Sequence, residues 1–380
     1  MVDQRIVKAA PAGAALFLAL ACMGATASSS LPGQQPPAGS EAAQAAALLY
    51  VCNQDGASIT VIDAVKLEVV QQISLQELGF GANAKPHHVV VEPDGLFWYV
   101  TLIGENRILK FARDNRLIGQ AQFEVPGLLA LRADRHELYV GRSMSAVNPP
   151  MRIGLIDTND MSIDEVDVFF PRPHALDLRP QGDFVYSASL GVNQMGSLNT
   201  ETQKFGLINV EGPTHALAHS AMAPDGGTLV ITTHSNKVML FDLAEPALPK
   251  LAVALDVADQ PWSPVFTPDG RYVYVPNNAS NDVTVVDMRT RTVTTTIEHT
   301  RFAQPYGSAI SPDGRYVFVS NNSIRATHTG HEGHAAGAAQ PAAAPGNGSV
   351  SVIDVATNAV VKVIDVGRGP TGLGIRRPAR

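Results

Sequence analysis

A regular 44-residue period constrains the fold of this chain more than any other feature of its sequence. Four prolines, Pro180, Pro224, Pro268 and Pro312, are spaced 44 residues apart. Around the last two, the pattern S/T-P-D-G-R-Y-V-x-V-x-N-N is nearly intact at residues 267–278 and 311–322. A fixed period of about 20–50 residues indicates a repeat architecture, in which no single unit can bury its apolar face alone.

Each repeat has the pattern of four short antiparallel strands. In the last complete unit, the alternating apolar stretches are residues 305–310, 316–319, 350–354 and 360–364. The first two flank Pro312-Asp313-Gly314, where proline presets φ and glycine accepts a positive φ. Short strands with alternating apolar positions, separated by turn residues, are typical of an all-β repeat.

The repeats predict a closed ring of seven blades. Six complete units begin near Pro86, Pro126, Pro173, Pro213, Pro261 and Pro305. A seventh is divided between the ends of the chain: residues 49–52, 58–63 and 69–75 supply three strands, and residues 370–375 supply the innermost one. We therefore predict an all-β, seven-bladed β-propeller of four-stranded antiparallel blades over residues 46–376, its ring closed by the C-terminal strand.

Three short phrases carry a family resemblance. Tyr50-Val51-Cys52-Asn53, Tyr274-Val275-Pro276-Asn277 and Phe318-Val319-Ser320-Asn321 resemble the YVTN family of β-propeller repeats. The resemblance implies a propeller fold and covers residues 46–376. The family includes surface-layer modules and exported proteins, and similar propellers include lactonase-type enzymes and the haem-binding domain of cytochrome cd-type nitrite reductase. Fold resemblance does not choose among these functions.

The first 45 residues read as targeting and tether segments. Arg5 and Lys8 precede an apolar run at residues 9–21, which predicts a signal peptide over residues 1–27, cleaved after Ala27. The alternative is lipoprotein cleavage before Cys22, which would leave a lipid anchor. Residues 28–45 predict a flexible tether. We expect a periplasmic or secreted protein with no transmembrane span in the mature chain, because the apolar run is short.

Net charge restricts the partners that the protein can be expected to bind, and cysteine content restricts how its fold can be stabilised. The net charge is −7 and no basic block is present, so we expect no nucleic-acid partner. Outside the signal segment Cys52 is the only cysteine, so a large apolar core rather than a disulfide framework must stabilise the fold. Cys52 itself is expected to be buried as a small apolar residue.

The repeat also places several histidines at one mouth of the central channel. The position six residues before each turn proline holds His87, His174, Ala218, Trp262 and Tyr306. Of the neighbours His87 and His88, alternation along a strand lets only one point inward. Trp262 and Tyr306 are predicted to stack a planar ligand at this mouth.

The repeat unit that begins near Pro213 adds further histidines to the same rim. His215 and His219 are four residues apart, so on one strand they would face the same side. His234 follows a second strand and should lie in a loop on the same face. Because neutral imidazole is a common ligand for transition metals, we predict metal ligation by His87, His174, His215, His219 and His234. The alternative is a structural ring, with the imidazoles bonded to backbone carbonyls or channel waters.

An insertion in the last blade, residues 323–348, contains His328, His331 and His334 within an Ala/Pro/Gly-rich segment. Short His-rich tracts indicate metal binding, and we predict that these three capture metal in a flexible loop. The spacing does not match the H-E-x-x-H helix of zinc proteases. The alternative is a solvated spacer.

The sequence thus predicts an exported binding module with a His-rich metal or metallo-cofactor site at one channel mouth. The expected cofactor is copper, zinc or iron, with haem as an alternative, and the expected partner is a protein or small molecule of the cell envelope. No catalytic residue is assigned, since the chain has no G-x-S-x-G elbow, phosphate loop or C-x-x-C motif. Two alternatives stay open: a lactonase-like hydrolase or redox enzyme subunit, and a metal-free interaction scaffold.

Overall fold

The computed structural model describes residues 47–322 and 347–378, which contain 28 β-strands. In chain order they are β1 (Leu48–Asn53), β2 (Ser58–Asp63), β3 (Glu68–Ser74), β4 (Pro86–Val91), β5 (Phe97–Leu102), β6 (Arg107–Ala112), β7 (Leu117–Gln122), β8 (Pro126–Arg132), β9 (Glu137–Arg142), β10 (Arg152–Asp157), β11 (Ile163–Asp167), β12 (Pro173–Leu178), β13 (Phe184–Ser189), β14 (Gln194–Asn199), β15 (Phe205–Asn209), β16 (Leu217–Met222), β17 (Thr228–Thr233), β18 (Lys237–Asp242), β19 (Lys250–Asp256), β20 (Val265–Phe266), β21 (Tyr272–Asn277), β22 (Asp282–Asp287), β23 (Thr292–Glu298), β24 (Pro305–Ile310), β25 (Tyr316–Asn321), β26 (Ser349–Asp354), β27 (Ala359–Asp365) and β28 (Pro370–Arg376).

These strands form seven four-stranded antiparallel sheets, which confirms the predicted seven-bladed propeller. Blade 1 has the order β28-β1-β2-β3, and blades 2 to 7 are formed by β4–β7, β8–β11, β12–β15, β16–β19, β20–β23 and β24–β27. The first strand of each blade contacts the first strand of the next, from β4 around to β24 and β28. These seven innermost strands therefore surround the central channel.

The ring closes through blade 1, as predicted. Strand β28 pairs antiparallel with β1, with Leu48 opposite Arg376 and Val51 opposite Leu373. The last described strand, β28, therefore supplies the innermost strand of a sheet whose other three strands, β1 to β3, are the first described strands of the chain. Each of the seven sheets in the described ranges thus has its full set of four strands, including a channel-side strand.

The turns between first and second strands follow the chemistry of the repeat. Gly95, Gly226, Gly270 and Gly314 adopt φ of +69°, +73°, +70° and +73°, a region that favours glycine. The preceding aspartate caps each turn; Asp269 Oδ1, for example, accepts the Arg271 N–H at 3.0 Å. The aspartates at the ends of third strands are likewise turn caps, as expected from the sequence.

The apolar core is divided into seven clusters, one between each pair of adjacent blades. Between blades 1 and 2, Tyr50 stacks on Trp98 at 4.5 Å between ring centroids, and Trp98 stacks on Phe111 at 4.1 Å. Cys52 lies fully buried in the same cluster, as predicted. Each blade therefore depends on both neighbours for burial of its apolar faces.

Three short 3-10 turns, Gln54–Gly56, Ile103–Glu105 and Ala133–Arg135, are the helical elements in the described ranges. Within those same residues, no helix has the length and apolar character needed to cross a membrane.

Candidate functional site

One mouth of the channel contains a cavity of about 250 Å³. Its walls include Asp55 and Asn322, from loops between second and third strands, and His87, Trp262 and Tyr306, from the innermost segments of blades 2, 6 and 7. The predicted convergence of these two kinds of segment on one face is therefore correct. Asn322 is the last described residue before the insertion at residues 323–348.

Imidazole and aromatic rings from five blades form a continuous cluster at this mouth. The ring centroids of His174 and His219 are 5.3 Å apart, and those of His219 and Trp262 are 5.1 Å apart. Trp262 stacks on Tyr306 at 4.7 Å, and Tyr306 meets His87 edge-on at 6.1 Å. His174, His219 and His87 expose only 0%, 2% and 5% of their surface. We call these five residues the channel cluster.

Backbone and side-chain partners fix the tautomers of two of these histidines. His174 Nδ1 lies 2.7 Å from the Arg142 carbonyl oxygen, which can only accept, so Nδ1 carries the proton and donates it. His87 Nδ1 lies 3.0 Å from Gln54 Oε1 and donates to it in the same way. In both neutral imidazoles the Nε2 lone pair is then available as a ligand or acceptor.

His219 is held by a side chain of the next blade. Its Nδ1 lies 3.0 Å from Ser263 Oγ, and its backbone N–H donates to Thr232 Oγ1. Ser263 follows Trp262 directly, so one short segment of blade 6 supplies both a hydrogen-bond partner and an aromatic neighbour to His219. The ring of His219 is thereby oriented toward His174.

The Nε2 atoms of His87, His174 and His219 are buried and have no hydrogen-bond partner among the described residues. Burial lowers the pKa of His87 to about 3 and that of His174 to about 3, and it holds the pKa of His219 well below its usual range. All three are therefore neutral at physiological pH. Buried polar atoms without partners call for an explanation, and an ion or bound molecule is one.

His88 also faces this cluster, although alternation along a strand allowed only one of His87 and His88 to do so. A register shift between Pro86 and Val89 places an extra residue in β4, which breaks the alternation. Both histidines interact electrostatically with His174 or His219. His88 Nδ1 accepts the Leu129 N–H at 3.2 Å, so its lone pair is already used.

The remaining predicted ligands of blade 5 differ in position. His234 lies in the loop after β17 and meets Trp262 edge-on at 5.6 Å, beside the channel cluster as expected. His215 precedes β16, so strand alternation does not relate it to His219. Its Nδ1 lies 2.7 Å from Ser235 Oγ, and its electrostatic neighbour is Lys237 rather than another histidine.

No group of three His, Cys, Asp or Glu side chains in residues 47–322 and 347–378 is disposed to hold a metal ion as it stands. His174 and His219 are a close pair of candidate ligands, and His87 lies beyond the Tyr306 ring. His328, His331 and His334 lie outside the described residues, as do the predicted signal segment and tether.

Comparison with known proteins identifies the fold class and does not identify a function. The chain is similar to a functionally unknown protein from Desulfotomaculum acetoxidans DSM 771, with a TM-score of 0.69 and 14% identity over 87% of this chain and 99% of that one. It is also similar to the Kuenenia stuttgartiensis hydrazine synthase structure, with a TM-score of 0.58 and 19% identity over 76% and 88% of the two chains.

A third similar structure is a streptogramin B lyase, with a TM-score of 0.60 and 14% identity over 72% of this chain and 86% of that one. No protein-family model and no curated protein matches the sequence. At these identities the likeness shows a β-propeller fold and leaves the ligand and the activity to be argued from the site itself.

Proposed function

We propose that this protein is an exported binding module that holds a transition metal ion, copper, zinc or iron, at one mouth of its channel. His174 and His219 are the central ligands, and His87 is the third. The observation that carries the proposal is the state of these three imidazoles: each Nδ1 has a partner, while each buried Nε2 has none. Histidines that bind metals commonly have this second hydrogen bond, which fixes the ring and the tautomer.

The spacing of the central pair supports a shared ion. Two imidazoles that bind one tetrahedral metal at about 2.0–2.1 Å from each Nε2 have ring centroids about 5 Å apart. The centroids of His174 and His219 are 5.3 Å apart. His87 would need to turn about its side chain to join them, and a solvent molecule would complete the coordination.

The protonation states favour ligation over catalysis. A histidine must be neutral to bind a metal, and pKa values of about 3 for His87 and His174 keep both rings neutral even in mildly acidic surroundings. A general base works best with a pKa near the operating pH, so these two rings are poor proton acceptors. This argues against the hydrolase alternative, in which one of these histidines would act as the base.

The size of the mouth cavity favours an ion over a haem. At about 250 Å³ it is smaller than the roughly 300–1,000 Å³ of pockets that enclose drug-sized ligands. Trp262 and Tyr306 form one wall, which restricts water around the site and leaves room for a small second ligand. Stacking of a planar ligand on this wall is a further part of the proposal.

The proposal includes delivery of metal by His328, His331 and His334, whose segment follows Asn322, a residue of the cavity lining, in the sequence. It also includes export to the periplasm or cell surface, free or anchored through Cys22, and a partner in the cell envelope. His215 and His234 are assigned supporting positions near the site. A metal-free scaffold is the competing proposal.

The test is calorimetric titration of the metal-free protein with Zn²⁺ and with Cu²⁺, using a variant lacking residues 327–346 so that His328, His331 and His334 do not contribute. His174→Asn and His219→Asn should each weaken binding by more than the roughly 10–100-fold that loss of a supporting partner costs. Asparagine suits position 174 because its amide N–H can still donate to the Arg142 carbonyl.

The matched control is His136→Asn, an exposed histidine with φ of +58°, which asparagine also adopts, and it should bind like the parent. Equal affinity in the parent, His174→Asn and His219→Asn would overturn the proposal. Absence of any binding in the parent would favour the metal-free scaffold.

A further inference from the structure

The other mouth of the channel has a separate cavity of about 540 Å³. It is lined by turns between first and second strands, such as Pro93 and Pro180, whereas the channel cluster lies beside loops between second and third strands. Successive strands are antiparallel, so these two kinds of connection lie at opposite ends of the blades. The second cavity is therefore distinct from the proposed metal site.

Apolar side chains form part of its walls, beside two acidic and two basic residues. Val90, Leu129, Leu131 and Leu178 line the cavity, and Asp177 of β12 is a partly buried acid among them. Ser220, on the neighbouring innermost strand β16, is the side chain that interacts with the Asp177 carboxyl. A carboxyl group at such a position normally has a cation as its partner, because burying an ionised carboxylate without one is costly.

The basic groups of the cavity do not supply that cation. Arg132 is paired with Glu201 at 2.6 Å, and Arg179 is paired with Asp183 at 2.5 Å. The other charged residue of the lining is Asp134, which lies 3.5 Å from Arg132. Among the described residues, no lysine or arginine forms an ion pair with Asp177.

We propose that this cavity binds a small primary amine, whose ammonium group pairs with the Asp177 carboxylate and whose apolar body occupies the space between Val90, Leu129 and Leu178. The volume lies within the range of about 300–1,000 Å³ that encloses small molecules. A metal cation fits less well, because Ca²⁺ takes 6–8 oxygen ligands and Mg²⁺ about six, whereas this cavity offers two carboxyl groups, one of which lies against Arg132. A primary ammonium has three N–H donors; the Asp177 carboxylate can accept from it, and water can accept the remainder.

Burial raises the pKa of Asp177 to about 7. The carboxyl is then largely protonated at pH 6 and largely ionised at pH 8, and only the ionised form attracts an ammonium group. We expect the amine to bind about tenfold more tightly at pH 8 than at pH 6, because the competent fraction rises by about that factor. Ser220 has no ionisable group, and the charged residues that line the same cavity are Arg132, Asp134 and Arg179.

The experiment is calorimetric titration of the full chain with benzylamine and with benzyl alcohol, its uncharged analogue. We expect benzylamine to bind at least tenfold more tightly than benzyl alcohol at pH 8, and Asp177→Asn to remove that preference. Asp134→Asn, a change to the other acid of the same cavity, should leave it intact.

Thermal unfolding of each variant checks the fold. Asp177→Asn should be at least as stable as the parent at pH 8, since a carboxyl with a raised folded-state pKa loses stability as it ionises. Equal binding of the amine and the alcohol by the parent, or benzylamine affinity that does not change with pH or with Asp177→Asn, would overturn the proposal. The comparison of ligands and of pH uses the unaltered protein, so it decides the matter even if a variant does not fold.

Discussion

At the scale of single residues, three asparagines close the second strands of their blades in the same way. Asn53, Asn277 and Asn321 are each fully buried at the end of β1, β21 and β25. Asn277 Nδ2 donates to Asp282 Oδ1 at 2.6 Å and to Thr284 Oγ1 at 2.8 Å, both on the following strand. The asparagine that ends the repeat phrase therefore connects the two strands at the base of a loop that lies on the channel-cluster face.

Replacing this amide should be costly. Asn277→Ala removes two buried hydrogen bonds and leaves Asp282 without this partner, so we expect a loss of about 1–3 kcal/mol in the free energy of unfolding. Urea denaturation measures this loss. The exposed Asn159 provides a control, since Asn159→Ala should change stability by less than about 0.5 kcal/mol. Equal stability of the two variants would contradict the role assigned to the asparagine.

A second change tests the orientation of His219. Ser263→Ala removes the hydroxyl that lies 3.0 Å from His219 Nδ1 and should lower metal affinity about 10–100-fold. The matched control is Ser235→Ala, which removes the same kind of partner from His215, outside the channel cluster. Calorimetry with Zn²⁺ compares the two. Similar losses in both variants would indicate a general effect on the fold and contradict a specific positioning role.

At the scale of elements, the sequence predicted the repeat well because its spacing is regular. The strands of blade 1 begin and end within one residue of the predicted ranges, including β28. His87, His174, Ala218, Trp262 and Tyr306 all occupy the second position of their innermost segments, as the count from the turn prolines required. Periodicity was enough to place these residues around one channel.

Much of the chemistry of the site could not be obtained from that count. His219, one position further along its strand than His174 in β12, contacts the cluster, although the count from the turn prolines selects Ala218 in its blade. The partners Gln54, Arg142 and Ser263 come from neighbouring blades, 32 to 44 residues away, and no local pattern marks them. Asp177 was missed for the same reason, because the cavity that it lines is assembled from three blades.

The insertion between β25 and β26 can be tested as an element. Removing residues 327–346 should lower the number of Zn²⁺ ions bound per chain while leaving the tighter, channel-dependent binding unchanged. The fold should persist, because Asn321 and Ser349 pair at the base of this hairpin. Elemental analysis gives the number of ions, and calorimetry gives the affinity. Unchanged stoichiometry would show that His328, His331 and His334 contribute no ligand.

At the scale of the whole molecule, stability should fall in acid because the channel histidines stay neutral. Below pH 6.5 the unfolded chain binds protons that folded His87, His174 and His219 do not, down to a pH of about 3 for His87 and His174. Each contributes a loss of about 1.4 kcal/mol per pH unit in that window. Urea denaturation of the metal-free protein between about pH 7 and pH 4.5 measures the slope. His174→Asn should lower the slope by the contribution of one proton, about 1.4 kcal/mol per pH unit. An unchanged slope would contradict this account.

Ring closure gives a second prediction at this scale. Ending the chain before Pro370 removes β28, and with it the partner of β1 and the contacts with β4 and β24. We expect loss of cooperative unfolding and of the compact elution volume in gel filtration, because two neighbouring blade interfaces open together. Ending the chain after Arg376 removes only exposed residues from the described part and should leave both properties unchanged. A compact, cooperative protein without β28 would contradict the prediction.

The divided blade also limits the order in which the protein can fold. Strands β1, β2 and β3 emerge first during synthesis, yet their sheet lacks its channel-side member until β28 follows more than 300 residues later. A chain of this kind stays an open series of blades while it is being made. If it is exported while it is being made, the ring closes only after β28 has crossed the membrane, so the strand that is missing from the open chain inside the cell completes the folded molecule outside it.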